Sequence, residues 1–260
     1  MTVPLAALRR LWDSDEPMLG GWCAIPSGIS AEVLGAVGFD WVVIDAQHGL
    51  IDYHDLPVLI PALSNAGVPA IVRVPWNEPS VIMKALDAGA QGVIVPMVNS
   101  PEEARAAAAA CRFPPHGIRS WGPARPTLYA PDYTPDTANR QVICAVMVET
   151  VTAVERIDEI LAVPGIDAVF VGPSDLGISA GFLPSADPVD PEHVRLIRVA
   201  LKACQSRGII AGIACGNAAL ARRWRDEGFR MLALPSDISL LSAAAEQVFR
   251  DAGGGVTPTR

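Results

Sequence analysis

One pattern constrains this 260-residue chain more than any other: a short, unbroken apolar run followed by an amphipathic stretch, eight times over. The runs read as strands at Leu19–Ile25, Trp41–Asp45, Pro69–Val74, Gly92–Pro96, Val142–Glu149, Ala168–Gly172, Ile209–Ala214 and Arg230–Leu234. The stretches that follow them read as helices at Ala31–Val37, Asp55–Asn65, Ser80–Ala88, Glu102–Cys111, Ala153–Leu161, His193–Arg207, Ala218–Glu227 and Ser239–Arg250. A strand without polar alternation is buried on both faces, as in a parallel sheet covered by its crossover helices. Eight such units predict an α/β chain closed into a (β/α)8 TIM barrel rather than an open doubly wound sheet. No G-x-G-x-x-G follows the first strand, so nothing marks a nucleotide-binding open sheet. One domain over 1–260 is expected, with its core at about 18–250. A leading helix within residues 1–17 (Leu5, Leu8, Leu11, Trp12) precedes it, and 253–260 is expected as a disordered tail.

The formal net charge of −8 and the lack of a basic stripe argue against nucleic acid as a partner. No 18-residue apolar run is present, so no membrane span is expected, and Met1–Arg10 lacks the apolar segment of a signal peptide. Cys23, Cys111, Cys144, Cys204 and Cys215 are scattered without a C-x-x-C pair, as in a reduced, cytoplasmic protein. The rhythm breaks once, at Phe113–Gln141, which holds six prolines. This insertion before the fifth strand is expected at the rim where barrel active sites lie.

Barrel chemistry comes from the carboxyl ends of strands. Two apolar runs there end in acids, Glu149 and, just past Gly172-Pro173-Ser174, Asp175. A buried strand that delivers a carboxylate needs a paired charge or a cation, and two on one rim offer hard oxygen ligands to a divalent metal. Each acid taken alone is equally an N-cap for the next helix. Asp45 with His48 forms a possible base dyad, against the plainer readings of a loop cap and a surface histidine. Arg73, between Val72 and Val74, must face an anion, either a ligand or a carboxylate of the barrel itself. The only lysines, Lys84 and Lys202, fall inside helices, which disfavours a Schiff-base mechanism and leaves a metal as electron sink. His54, His116 and His193 are expected at the surface.

Six stretches carry a resemblance: Phe39–His48, Val72–Asn77, Val95–Val98, Gly117–Arg119, Val148–Thr150 and Val171–Leu176. In this order they resemble the HpcH/HpaI aldolase family of metal-dependent (class II) pyruvate aldolases, over about residues 18–250. The resemblance implies a (β/α)8 barrel whose last helix is exchanged between subunits, in a hexamer built as a trimer of dimers. It implies that Glu149 and Asp175 bind Mg²⁺, Mn²⁺ or Co²⁺, that Arg73 holds the keto oxygen, and that His48 is the base, oriented by Asp45. Trp22, Gly172, Pro173 and Ser174 match positions lining the 2-oxo acid site, and Asp87 an acid that reaches a neighbouring subunit's site. The family has Glu where Gln47 stands and Gln where Met147 stands. The Gln-His pair resembles the branch that accepts hydroxypyruvate.

The expected reaction is reversible aldol cleavage of 4-hydroxy-2-oxo acids to pyruvate, or hydroxypyruvate, and an aldehyde. A CoA-thioester lyase of the citrate lyase β or malyl-CoA type is the competing enzyme, for which the insertion offers only Arg112, Arg119, Arg125 and Arg140 as phosphate partners. A non-catalytic oxo-acid sensor would have no use for the Asp45/His48 pair.

Overall fold

The structure is a computed structural model that describes residue 4 and residues 6–255. Leu5 and positions 256–260 of the expected tail lie outside the described residues. Eight strands follow one another around a closed barrel: β1 (Met18–Cys23), β2 (Trp41–Asp45), β3 (Ala70–Arg73), β4 (Gly92–Val95), β5 (Ile143–Val148), β6 (Ala168–Val171), β7 (Ile210–Ala214) and β8 (Met231–Ser236). Every pairing is parallel, including β8 with β1, where the register shifts between Gly20 and Trp22. The expected (β/α)8 barrel is therefore the observed fold. Its surrounding helices are α1 (Ala7–Asp13), α2 (Gly28–Val37), α3 (Leu56–Asn65), α4 (Pro79–Asp87), α5 (Pro101–Cys111), α6 (Pro126–Tyr129), α7 (Pro135–Gln141), α8 (Val151–Glu155), α9 (Ile157–Leu161), α10 (Pro173–Ser179), α11 (Pro191–Arg207), α12 (Ala218–Glu227) and α13 (Asp237–Asp251).

Local chemistry sets these boundaries. Ser100, Thr150, Asn217 and Ser236 each accept a main-chain N–H in the first turn of the helix they cap. Gly38, Gly208 and Gly228 end α2, α11 and α12 in left-handed conformations. The single helix expected over Ala153–Leu161 is two, α8 and α9, meeting at Arg156. Helix α10 was not expected; Pro173 at its first position is pre-set for it.

Two apolar layers hold the barrel. Val42, Val72, Val93, Val146, Val169 and Ile213 face the helices, while Val43, Ile71, Ile94, Met147 and Phe170 fill the interior. Each fully buried aliphatic side chain contributes about 1.5–3 kcal/mol, which outweighs the desolvation of the few charges gathered at one mouth. Gly20 is required on β1 because the Trp41 indole packs across it: a Cβ there would lie 2.3 Å from the ring. The opposite mouth is stoppered by α1. Leu8 and Trp12 enter the interior layer, the Leu8 amide donates to Gln91 Oε1, and Arg9 donates to Asp167 and to the Val142 carbonyl.

The insertion corrects an expectation. Arg125 bonds to the main chain of Asp87 and Ala88, Arg119 to the Asp87 carboxylate and Arg112 to Asp167, all at the amino ends of strands. Phe113–Gln141 thus covers the floor of the barrel, not the active-site rim. The reason is topological: a segment between a helix and the next strand emerges at the strand's amino end.

Helix α13 projects from the barrel. Only Asp237 of it is buried, while Leu241, Val248 and Phe249 are more than half exposed. Ile29, Val33 and Val37, spaced one turn apart on α2, are exposed as well. All five cysteines are free and buried. No helix among the described residues is long and apolar enough to cross a membrane.

Candidate active site

At the carboxyl ends of the strands lies a cleft of about 530 Å³, lined by Trp22, His48, Arg73, Met147, Phe170 and Gly172–Asp175 on one side. Its other wall is small and uncharged, with Ala186, Gly216, Pro235, Ser236 and Ser239. Every expected site residue except Asp87 lies in this cleft or directly behind it.

Arg73 ends β3 opposite Asp45, its register partner on β2. Arg73 Nε donates to Asp45 Oδ1 at 2.9 Å and Nη2 to Oδ2 at 2.6 Å. The anion that a buried arginine requires is therefore a carboxylate of the barrel. Trp22 Nε1 also donates to Asp45 Oδ2, and its ring lies 4.8 Å from the guanidinium carbon. Burial would raise the Asp45 carboxyl, but Arg73, with Trp22 and the His48 amide, holds it below its ordinary value of 3.8.

This arrangement revises the expected dyad. Asp45 meets His48 through the main chain: the Gln47 and His48 amides both donate to Oδ1 at 3.1 Å. The carboxylate is filled by these two amides, the guanidinium and the indole, so Asp45 sets the His48 loop rather than gripping the imidazole. His48 itself is exposed at the cleft wall. Gln47 Oε1 is buried without a partner among the described residues.

Glu149 follows β5 and is 2% exposed. Its Oε1 accepts the Met97 amide at 2.7 Å. Its Oε2 lies against Gly172, where a Cβ would come within 2.7 Å of it. Met97 donates from a left-handed conformation, φ 55°, which costs a non-glycine residue roughly 1–2 kcal/mol. Such strain persists where the surroundings enforce it. Burial raises the Glu149 pKa and the nearby Asp175 charge adds to this, while the Met97 amide and Arg73 only partly oppose them. A cation between the two acids would relieve that repulsion, and the hard oxygen pair suits a divalent ion. Among the described residues no group of three or more His, Cys, Asp or Glu gathers at metal-binding spacing. Such an ion would rest on two protein carboxylates, with its other positions open. The thiols of Cys23 and Cys215, beside the cleft, are pushed up to about 12 by burial and are poor nucleophiles.

Two residues that matter here were not anticipated. His193 was expected at the surface but is 2% exposed. Its Nε2 pairs with the Pro173 carbonyl at 2.8 Å, its ring stacks on Phe182, and Gly177 leaves room for it. It thereby fixes α10, which carries Asp175. His193→Leu is expected to cost about 1–3 kcal/mol, read as a lower urea midpoint, because a buried polar contact is lost; a parental midpoint would reduce the ring to a space filler. Asp237 accepts the Ala24 and Ile25 amides and the Ser30 hydroxyl, fastening the end of β8 to the loop after β1. It is a strand-end acid too, hidden because the sequence placed the end of β8 at Leu234.

An acid pair, a buried arginine and a histidine meet at the carboxyl mouth of a (β/α)8 barrel, and similarity to named aldolases places this chain among the carbon–carbon lyases. The HpcH/HpaI aldolase/citrate lyase family matches residues 19–244, and the chain belongs to that family. It is 42% identical to a hydroxypyruvate/pyruvate aldolase of Rhizorhabdus wittichii, covering 94% of this chain and 98% of that one. It is 36% identical to a 4-hydroxy-2-oxo-heptane-1,7-dioate aldolase of Escherichia coli, covering 94% of both. The structure of an HpcH/HpaI aldolase/citrate lyase family protein from Burkholderia cenocepacia superposes with a TM-score of 0.89 at 34% identity, over 96% of this chain and all of that one.

Proposed function

We propose that this protein is a divalent-metal-dependent aldolase that cleaves and forms 4-hydroxy-2-oxo acids, with pyruvate or hydroxypyruvate as the oxo-acid partner and an aldehyde as the other. The observation that carries the reading is the convergence of Glu149, Asp175, Arg73 and His48 on one cleft. Glu149 and Asp175 would hold Mg²⁺, Mn²⁺ or Co²⁺, which supplies a Lewis acid for the oxo-acid carbonyl. Arg73 is clamped by Asp45 through Nε and Nη2, so its guanidinium is already oriented when negative charge develops on the keto oxygen. His48 takes the proton of the 4-hydroxyl on an imidazole nitrogen as the C3–C4 bond breaks, and returns a proton in synthesis. Trp22 and Phe170 pack 5.9 Å apart and, with Met147, give the donor end an apolar floor that excludes water. Gly172, Pro173 and Ser174 present main chain close to the acid pair.

The competing CoA-thioester reading has less support. Arg112, Arg119 and Arg140 are paired with Asp167, Asp87 and Asp136, Arg125 has no acidic partner among the described residues but donates to the Ala88 carbonyl, and the insertion lies on the floor, away from the cleft. Exchange of α13 between subunits, within a trimer of dimers, is supported by its exposed apolar side chains and the exposed stripe on α2. In its own chain Asp87 binds Arg119 away from the cleft, which is compatible with service to a neighbour. Five buried free thiols support a cytoplasmic setting.

The test is release of pyruvate from a panel of 4-hydroxy-2-oxo acids, beside release of glyoxylate and acetyl-CoA from malyl-CoA. Cleavage of the oxo acids is expected, lost on chelation and restored by Mn²⁺, Mg²⁺ or Co²⁺. Trapping of a covalent imine by borohydride, with activity indifferent to chelator, would overturn the metal reading. Cleavage of malyl-CoA alone would favour the thioester lyase.

A further inference from the structure

We infer that Asn99 is a positioning residue for Glu149, the bridge in a closed ring of hydrogen bonds that fixes this carboxylate; the inference rests on the reading of Glu149 as a metal ligand. The ring begins at Glu149 Oε1, which accepts the Met97 amide at 2.7 Å. The Met97 carbonyl in turn accepts Asn99 Nδ2 at 2.9 Å. Asn99 Oδ1 accepts the hydroxyl of Thr150, and Thr150 is joined covalently to Glu149. The loop after β4 is thus tied to the loop after β5, around the acid that both serve.

The direction of each bond is determined. A carboxamide oxygen only accepts, so Thr150 Oγ1 must donate to Asn99, while its lone pair takes the Ala153 amide that begins α8. The Asn99 amide nitrogen is thereby turned to the Met97 carbonyl. Only a carboxamide both donates and accepts at this length: aspartate cannot donate, and serine and alanine are too short. The stretch that follows Met97 is anchored independently. Val98 is fully buried, and the Asn99 main-chain N–H donates to Glu103 Oε2 of α5.

Immediately before these anchors Met97 sits at φ 55°, a conformation a methionine leaves when nothing holds it. Leaving it would turn the N–H away from Glu149 Oε1. The carboxylate would then keep its position in sequence but lose its fixed orientation toward Asp175. Groups that orient a metal ligand from behind commonly change metal affinity by about 10–100-fold when removed.

The experiment is calorimetric titration of the chelated protein with Mn²⁺, beside thermal melts. Asn99→Ala is expected to weaken Mn²⁺ binding about 10–100-fold while the folded protein remains. Thr150→Val should reproduce that loss with Asn99 in place, and Thr150→Ser, which keeps the hydroxyl, should restore parental affinity. The double variant Asn99→Ala/Thr150→Val should be no weaker than either single one, because one ring is broken once. Parental Mn²⁺ affinity in Asn99→Ala, or additive losses in the double variant, would overturn the inference. Glu149→Gln belongs in the same titration. If it loses Mn²⁺ while Asn99→Ala keeps it, the bridge alone falls; if it binds Mn²⁺ like the parent, the metal reading and the bridge fall together.

Discussion

Glu149→Gln is expected to yield a chelated protein that melts no lower than the parent at pH 7 and an enzyme whose kcat/KM is down by about 10³-fold or more, roughly 4 kcal/mol of transition-state stabilisation. The two halves have one cause. Burial, and the Asp175 charge beside it, raise the pKa of Glu149 in the folded protein. The folded state therefore holds that proton more tightly than the unfolded chain does. Its stabilising effect belongs to acid pH and is lost as pH rises through the folded pKa, so at neutral pH the ionised group is a net cost to the metal-free fold. Glutamine keeps the shape and an oxygen for the Met97 amide but removes the charge. The site is thus built at the expense of the fold, and a bound cation offsets that cost. Melting curves of chelated parent and variant, with turnover on a 4-hydroxy-2-oxo acid, check both halves. A variant that melts well below the parent and keeps its turnover would mean that Glu149 is a structural acid.

Asp45→Asn should be the most damaging change to stability, at about 3–5 kcal/mol near neutral pH, because it strips a buried guanidinium of its countercharge. Both side chains of the pair are nearly covered, at 10% and 4% exposure, so solvent does little to screen the loss. The sign with pH is opposite to that of Glu149. The folded Asp45 pKa is depressed below 3.8, so its contribution is full above that value and disappears as pH falls through the folded pKa. Urea unfolding of parent and variant should therefore differ at pH 7 and converge in strong acid. Catalysis should fall as well, since Arg73 loses the clamp that aims it. Arg73→Lys should share this defect, because an ammonium cannot bridge both oxygens of Asp45. Parallel unfolding curves from pH 7 into strong acid would show that the pair contributes nothing to stability.

The fold was legible because its signal is periodic and local. β2 and α12 coincide with the expected Trp41–Asp45 and Ala218–Glu227, and the other strands differ by a few residues at most. The cleft residues were legible as carboxylates and an arginine at the ends of apolar runs, where burial makes a charge conspicuous. What sequence could not supply was pairing across distance. Arg73 had two candidate anions, and only the β2–β3 register selects Asp45. His193 reads as an ordinary polar residue in a first helical turn, since its partner, the Pro173 carbonyl, lies 20 positions away. Met97, although within the Val95–Val98 stretch, and Asn99 show no chemistry in the sequence, because their work is done by main-chain groups and one amide. The face of the insertion follows from topology alone, since Phe113–Gln141 joins a helix to the amino end of β5, whereas its length and prolines carry no information about the face. The exposure of α13 was hidden for another reason: an apolar stripe looks the same whether it packs on its own barrel or elsewhere.

The latch formed by Asp237 bears on how the molecule is made. β1 ends at Cys23, and β8, its second neighbour, begins only at Met231. As the chain emerges from a ribosome, β1 and each newest strand are the two open edges of a growing sheet. Such edges are templates for pairing with other chains. Only when β8 pairs with β1 does the last seam close and both edges vanish together, and Asp237, the next residue, then fastens it to the Ala24 and Ile25 amides. A chain cut short before β8 retains most of the helices and strands of the finished barrel, yet it offers two sticky borders where the closed barrel has none.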